Sequence, residues 1–370
     1  MSTMAGLNAR AAALGRPHRA VLVAGHPRHS VLDRVRERLQ IPLVETRVVR
    51  TPSGILASEI IGKRGPLADA QAFVIGTTRP GSVDDDFLKN VAILQALSIS
   101  SVRDIVLFLL HTPYGRQDRK AKTREPVSNA LMHQFLASLT HWGAVGVIDD
   151  RLVGIGERAI LSRTVILDRH SPQDGITMMP IESITGVRLL AEFFRQRPGQ
   201  FPFENIWVTP TDAGGTRAAR IFAQSLFQGF PGWESHLLSM LKVRVPNPVS
   251  RLYGEIPPGR VSQAIVIIFD DMVDTGGTIE SAVHALEEKG VNPRQIWVAT
   301  IHALYSGNAL ERFQALGLGG IVVTNSTQLE VARLPEGTLT VEVAPVVTAA
   351  IERSVLGVSF EGLEGIAYYV

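Results

Sequence analysis

The feature that most restricts this chain is a recurring run of Val, Ile, Leu and Ala without polar alternation. It appears at 20–24, 72–76, 104–110, 145–148, 164–168, 206–209, 264–269, 295–301 and 321–324, each time ahead of a longer, helix-like segment. Strands exposed to water on one face alternate; strands covered on both faces do not, so these runs point to parallel sheets with helices outside. Residues 278–289 show the covering helix, with Ile279, Ala282, Val283 and Leu286 on one side and Glu280, Glu287 and Glu288 on the other. The expected fold class is α/β, built from repeated βα units. At 370 residues the chain exceeds one ordinary domain, so two cores are expected, with a boundary near residues 165–180.

Composition narrows the function classes. Hydrophobic residues make up 45% and charged residues 19%, which supplies a sizeable interior. The absence of cysteine excludes a disulfide framework, a thiolate nucleophile and a Cys-based zinc site, and it permits a reducing compartment. The formal charge is only +2 and no basic run is interleaved with aromatics, which disfavours nucleic acid as a partner and suits small anionic ligands. Residues 1–18 look like a ragged leader without an apolar core segment and are expected to form a disordered tail. No stretch reaches the roughly 18–20 apolar residues that cross a bilayer, and the chain is expected to be cytoplasmic.

The strongest chemical signal is VIIFDDMVDTGGTI, residues 266–279, where a buried strand meets a helix through two glycines. Backbone N–H groups from Asp274, Thr275, Gly276, Gly277 and Thr278 can cradle a phosphate at the helix start, with the threonine hydroxyls as extra donors. Asp270 and Asp271 are placed to accept hydrogen bonds from sugar hydroxyls or to face a magnesium ion. A helix cap alone would need neither the paired acids nor the adjacent glycines. Further upstream, HTPYGRQDRKAKTREPVS, residues 111–128, packs Arg116, Gln117, Asp118, Arg119, Lys120 and Arg124 behind another buried strand. Guanidinium forks match phosphate oxygens, so the cluster suits a polyphosphate.

The 266–279 loop resembles the phosphoribosyl diphosphate loop of type I phosphoribosyltransferases and ribose-phosphate diphosphokinases. The 111–128 segment is similar to one found in the diphosphokinases alone. TVILDRHSPQ, residues 164–173, resembles their segment with a metal-proximal histidine, here His170; VTPTDAGGTRAARIF, residues 208–222, resembles their second metal and phosphate loop, with Asp212 as its acid. MLKVRVPNPVSRLYGEI, residues 240–256, is similar to their catalytic arm, with Lys242 and Arg244 two apart and therefore on one face of an extended strand. Ser306-Gly307 and 325–327 match loops near the nucleotide and the ribose phosphate.

This resemblance implies two tandem phosphoribosyltransferase-like domains, 19–170 and 171–350, with 351–370 packing back on the first. It implies a magnesium-dependent diphosphokinase of nucleotide biosynthesis that moves the β,γ-diphosphate of ATP to the anomeric hydroxyl of ribose 5-phosphate. Lys242 and Arg244 would be catalytic; Asp270, Asp271 and 274–278 would bind the ribose phosphate. Arg116, Gln117, Asp118 and Arg119 would bind the nucleotide, and His170 and Asp212 the metal. A homo-oligomer between dimer and hexamer is implied as well. Three departures stand out. RTPSGILASE, residues 50–59, lacks the aromatic and the acids that contact adenine in the family; 149–162 looks like an insertion; and Leu241 and Val243 replace charged residues of the arm. They keep two alternatives open, a different ribosyl acceptor and a catalytically silent subunit. A phosphoribosyltransferase fits less well, because 116–120 would then lack a purpose.

Overall fold

The computed structural model describes residues 3–13, 19–61, 67–100, 102–120, 122–139, 145–148, 151–154, 160–171, 180–243, 249–329 and 334–363. They form two compact units, Met1–Ile184 with Ala344–Val370, and Thr185–Val343.

The first unit opens with α1 (Met4–Ala13), β1 (Arg19–Ala24), α2 (Val31–Leu39), β2 (Leu43–Arg50), β3 (Leu56–Ile61) and β4 (Ala70–Gly76). It continues with α3 (Val83–Ser98), β5 (Asp104–Leu109), α4 (Ser128–Ser138), β6 (Val145–Ile148), β7 (Arg151–Gly154), β8 (Ile160–Leu167) and β9 (Ile181–Ile184). Seven strands form one sheet in the order β3-β2-β1-β4-β5-β8-β9, parallel except for the β2–β3 pair. β4 is buried along its whole length, as its unbroken apolar run requires.

The second unit contains α5 (Val187–Arg195), β10 (Ile206–Pro210), α6 (Thr216–Leu226), β11 (Ser239–Val243), β12 (Val249–Tyr253) and β13 (Ile265–Val273). Then follow α7 (Gly277–Glu287), β14 (Ile296–Ala303), α8 (Ala309–Ala315), β15 (Gly320–Thr324) and β16 (Thr338–Val341). Its main sheet is wholly parallel, in the order β10-β13-β14-β15-β16. Phe222 of α6 stacks on Phe269 of β13 at 4.7 Å between ring centroids, which seats the strand just before its acids. The chain then re-enters the first unit with α9 (Ala344–Leu356).

Three expectations need correction. The tail is not wholly without structure: α1 buries Met4, Leu7 and Ala11 and packs on α9, so this helix has an apolar stripe to bury. The first unit runs past residues 165–180 to Ile184, because β9 pairs in parallel with β8. Residues 145–148 do not join the main sheet; β6 pairs antiparallel with β7 in a separate ribbon. The segment 149–162 accordingly holds β7 and the first residues of β8. Among the described residues no helix is long and apolar enough to cross a membrane.

Candidate active site

In the second unit β13 carries Asp270 and Asp271 beyond its buried stretch to the end of the sheet. Thr211, just after β10, donates its hydroxyl to Asp270 Oδ2 at 2.9 Å. Burial of the Asp270 carboxyl, then the charge of Asp271 and a hydrogen bond shared with it, push its pKa well above the usual carboxylate range. The Thr211 hydroxyl opposes that rise and the charge of Asp212 adds to it. Two acids this close cannot both ionise without help. They are therefore poised to accept hydrogen bonds from sugar hydroxyls or to coordinate a cation.

Asp212 lies in the turn before α6, where its Oδ1 accepts N–H bonds from Gly214 at 2.8 Å and Gly215 at 3.2 Å. The turn fixes the acid and opens a helix start beside the Asp270 pair. A second helix start follows β13. Gly276 has φ +76°, and a Cβ there would meet the Phe313 ring at 2.7 Å; one on Gly277 would meet Arg312 Nη1 at 2.7 Å. Only glycine satisfies both the left-handed backbone and the approach of α8 at Gly276. Arg312 also pairs with Glu280 in the first turn of α7 at 3.1 Å, which pins this helix start to α8. The first N–H groups of a helix have no partner within it, and an anion suits them.

Neighbouring loops are tied to this frame. The Ser306 N–H donates to the Asp274 carbonyl at 3.1 Å, which draws the 305–308 loop to the 274–278 loop. Ser326 and Thr327 donate their hydroxyls to the carbonyls of Ile301 and Ala303, so these side chains brace their loop against β14. Lys242 occupies β11, opposite Ser250 of β12. Arg244 lies outside the described residues.

In the first unit the polar loop follows β5. Arg116, Gln117 and Arg119 are exposed and Asp118 is half-buried. Gln117 anchors the loop to α4: its Oε1 accepts from Ser128 Oγ at 2.8 Å and its carbonyl from the Asn129 N–H at 3.2 Å. His170 is exposed, and its Cβ lies 3.7 Å from where a Cβ on Gly115 would sit, so the histidine segment lies against this loop. Among the described residues no three His or acidic side chains converge as a ready-made metal cage. Sequence reasoning missed Thr211, although it adjoins Asp212, and missed Phe313 and Arg312, which carry no signal of their own.

Two mainly parallel α/β units, one carrying an acid pair with glycine-opened helix starts and the other an exposed Arg-rich loop, offer groups chemically suited to phosphate-bearing ligands. Residues 20–139 match the N-terminal domain of ribose phosphate pyrophosphokinase, and residues 240–363 match the phosphoribosyl synthetase-associated domain. A ribose-phosphate pyrophosphokinase of Staphylococcus saprophyticus is 32% identical over 286 residues, covering 76% of this chain and 78% of that protein. One from Bacillus caldolyticus is 28% identical over 338 residues, covering 91% and 95%. The crystal structure of phosphoribosylpyrophosphate synthetase from Mycobacterium smegmatis shares the fold, with a TM-score of 0.73, 24% identity, and coverage of 91% of this chain and 98% of that one. The chain belongs to the ribose-phosphate pyrophosphokinase family.

Proposed function

We propose that this chain transfers the β,γ-diphosphate of ATP to the anomeric hydroxyl of ribose 5-phosphate, giving 5-phosphoribosyl 1-diphosphate and AMP. The observation that carries the reading is the acid pair at the end of β13 followed at once by the glycine-opened start of α7. The 5-phosphate is assigned to the N–H groups of 274–278, with Thr275 and Thr278 as hydroxyl donors. Asp270 and Asp271 accept hydrogen bonds from the ribose hydroxyls, which holds O1 in one orientation; positioning of this kind is worth about 7–11 kcal/mol of barrier. The nucleotide falls to Arg116, Gln117, Asp118 and Arg119. Lys242 and Arg244 neutralise charge on the diphosphate as it moves.

The oxygens of Asp212, Asp270 and Asp271 suit magnesium, which keeps several waters and binds through one or two carboxylates together with substrate phosphates. A preformed protein cage is not needed for that mode. Asp212 and His170 are each assigned to magnesium, which when bound would supply charge neutralisation on the phosphates. A homo-oligomer and a cytoplasmic setting complete the proposal.

The acceptor is tested by 31P NMR of the products formed from ATP, magnesium and ribose 5-phosphate. A diphosphate resonance on ribose C1 together with AMP is expected. Equal or faster diphosphate transfer to a nucleotide-linked ribose would instead favour the second acceptor class, which the altered segment 50–59 motivates.

A further inference from the structure

The first turn of α3 carries three successive acids, and each takes different partners. Asp86, fully buried, takes the Arg79 guanidinium through both oxygens, at 2.8 and 3.0 Å. Asp85 takes Arg50, from the end of β2, at 2.5 Å, and Lys89 at 2.6 Å. Asp84 takes the Tyr114 hydroxyl at 2.5 Å. Tyr114 stands in the polar loop that follows β5, two residues before Arg116.

Tyr114 is held in an unusual way. Its φ is +58°, a left-handed conformation that costs an aromatic residue energy unless its surroundings enforce it. Two contacts hold its side chain in that conformation: the bond to Asp84, and an edge-on packing against Phe87 of α3 at 6.3 Å between centroids. Its carbonyl then accepts the Gln117 N–H at 2.8 Å, which closes the turn that presents Arg116. Partial burial and the bond to Asp84 raise the phenol to about 12, so it remains a donor at any working pH.

We infer that Asp84 is a positioning residue for nucleotide binding: through Tyr114 it sets the turn that presents Arg116, Gln117 and Asp118. This rests on the assignment of that loop to ATP made above. Asp84 touches no substrate in this account. It acts on the nucleotide alone, because the loop it sets has no part in the ribose-phosphate cradle.

The test compares wild type with Tyr114→Phe, Asp84→Ala, Asp84→Asn and the Tyr114→Phe/Asp84→Ala double variant of the full chain. Steady-state kinetics vary ATP and ribose 5-phosphate separately, and calorimetry follows a non-hydrolysable ATP analogue. Tyr114→Phe keeps the ring on Phe87, so the fold survives even where Asp84→Ala weakens it. Losing a hydrogen bond to a charged group should raise the KM for ATP and the analogue Kd about tenfold in Tyr114→Phe and Asp84→Ala. The double variant should be no worse than the poorer single, as expected of one shared interaction. Asp84→Asn retains an acceptor oxygen and should stay within about threefold of wild type. The KM for ribose 5-phosphate should stay within about twofold throughout, a split that general loss of structure cannot produce. Unchanged analogue affinity in Tyr114→Phe and Asp84→Ala overturns the inference, as does a parallel rise in both KM values. If wild type binds the analogue yet releases no AMP with ribose 5-phosphate, the proposed reaction fails, while the calorimetric pattern still decides the role of Asp84.

Discussion

The Thr211 hydroxyl reaches from the end of β10 to Asp270 of β13, 2.9 Å away and 59 residues on, and donates to an acid that its own neighbours discourage from ionising. Asp270 is therefore out of balance in the free protein. Its carboxyl is buried beside Asp271 with Asp212 close by, and its pKa lies well above 3.8. A raised acid binds its proton more tightly when folded. Its contribution to stability is complete below pH 3.8 and is lost as pH rises through the folded value.

Asp270→Asn should consequently raise the Tm of the free protein near neutral pH and flatten its dependence on pH between mildly acidic and neutral values. The same variant should lose activity by a factor of about 100, the cost of a mispositioned reacting group. Thermal scans across pH, beside turnover, check both halves. A variant less stable than wild type at neutral pH contradicts the account.

Gly276→Ala and Gly277→Ala should differ. The first forces a Cβ into a left-handed backbone and against the buried Phe313 ring; the second meets the movable end of Arg312. Gly276→Ala should lose at least about 1–2 kcal/mol in urea unfolding from the backbone alone, and Gly277→Ala clearly less.

Asn90 is a test of the first unit. Its Oδ1 accepts the His26 N–H at 2.9 Å and its Nδ2 donates to the Asp86 carbonyl at 2.8 Å. Gly25 and Gly76 lack a Cβ where this amide sits, each hypothetical Cβ falling 2.7 Å from Oδ1. Asn90→Ala should destabilise by about 1–3 kcal/mol, since buried partners lose their bonds. Asn90→Leu should be destabilising as well, because it removes the same bonds from a space with no room to spare.

The helix α1 offers a further check. Leu7 is fully buried in a helix that packs on α9. Leu7→Ala should cost about 2–5 kcal/mol in a denaturant melt, whereas a loss below 0.5 kcal/mol would mean that the segment adds nothing to the first unit.

Much of this was legible in the sequence for a physical reason. β1, β4, β13 and β14 are covered on both faces, so an uninterrupted apolar run is their only workable composition. The acid pair and adjacent glycines of 270–277 state their chemistry locally. β2 and the edge strand β3 carry no such run, because half-exposed strands alternate; β3 does so residue by residue. α1 escaped because a short helix with three buried positions resembles a polar leader. The partnerships Thr211–Asp270 and Asp84–Tyr114 join residues 59 and 30 positions apart. Only the strand order brings them together, so no local pattern announces them.

The most direct test of the central claim is AMP release from ATP and magnesium, with and without ribose 5-phosphate, in wild type and Lys242→Ala. Release should require ribose 5-phosphate and fall by a factor of at least about 100 in Lys242→Ala, the loss typical when a transition-state charge partner is removed. Release at the same background rate in both proteins, unchanged by ribose 5-phosphate, would contradict the claim.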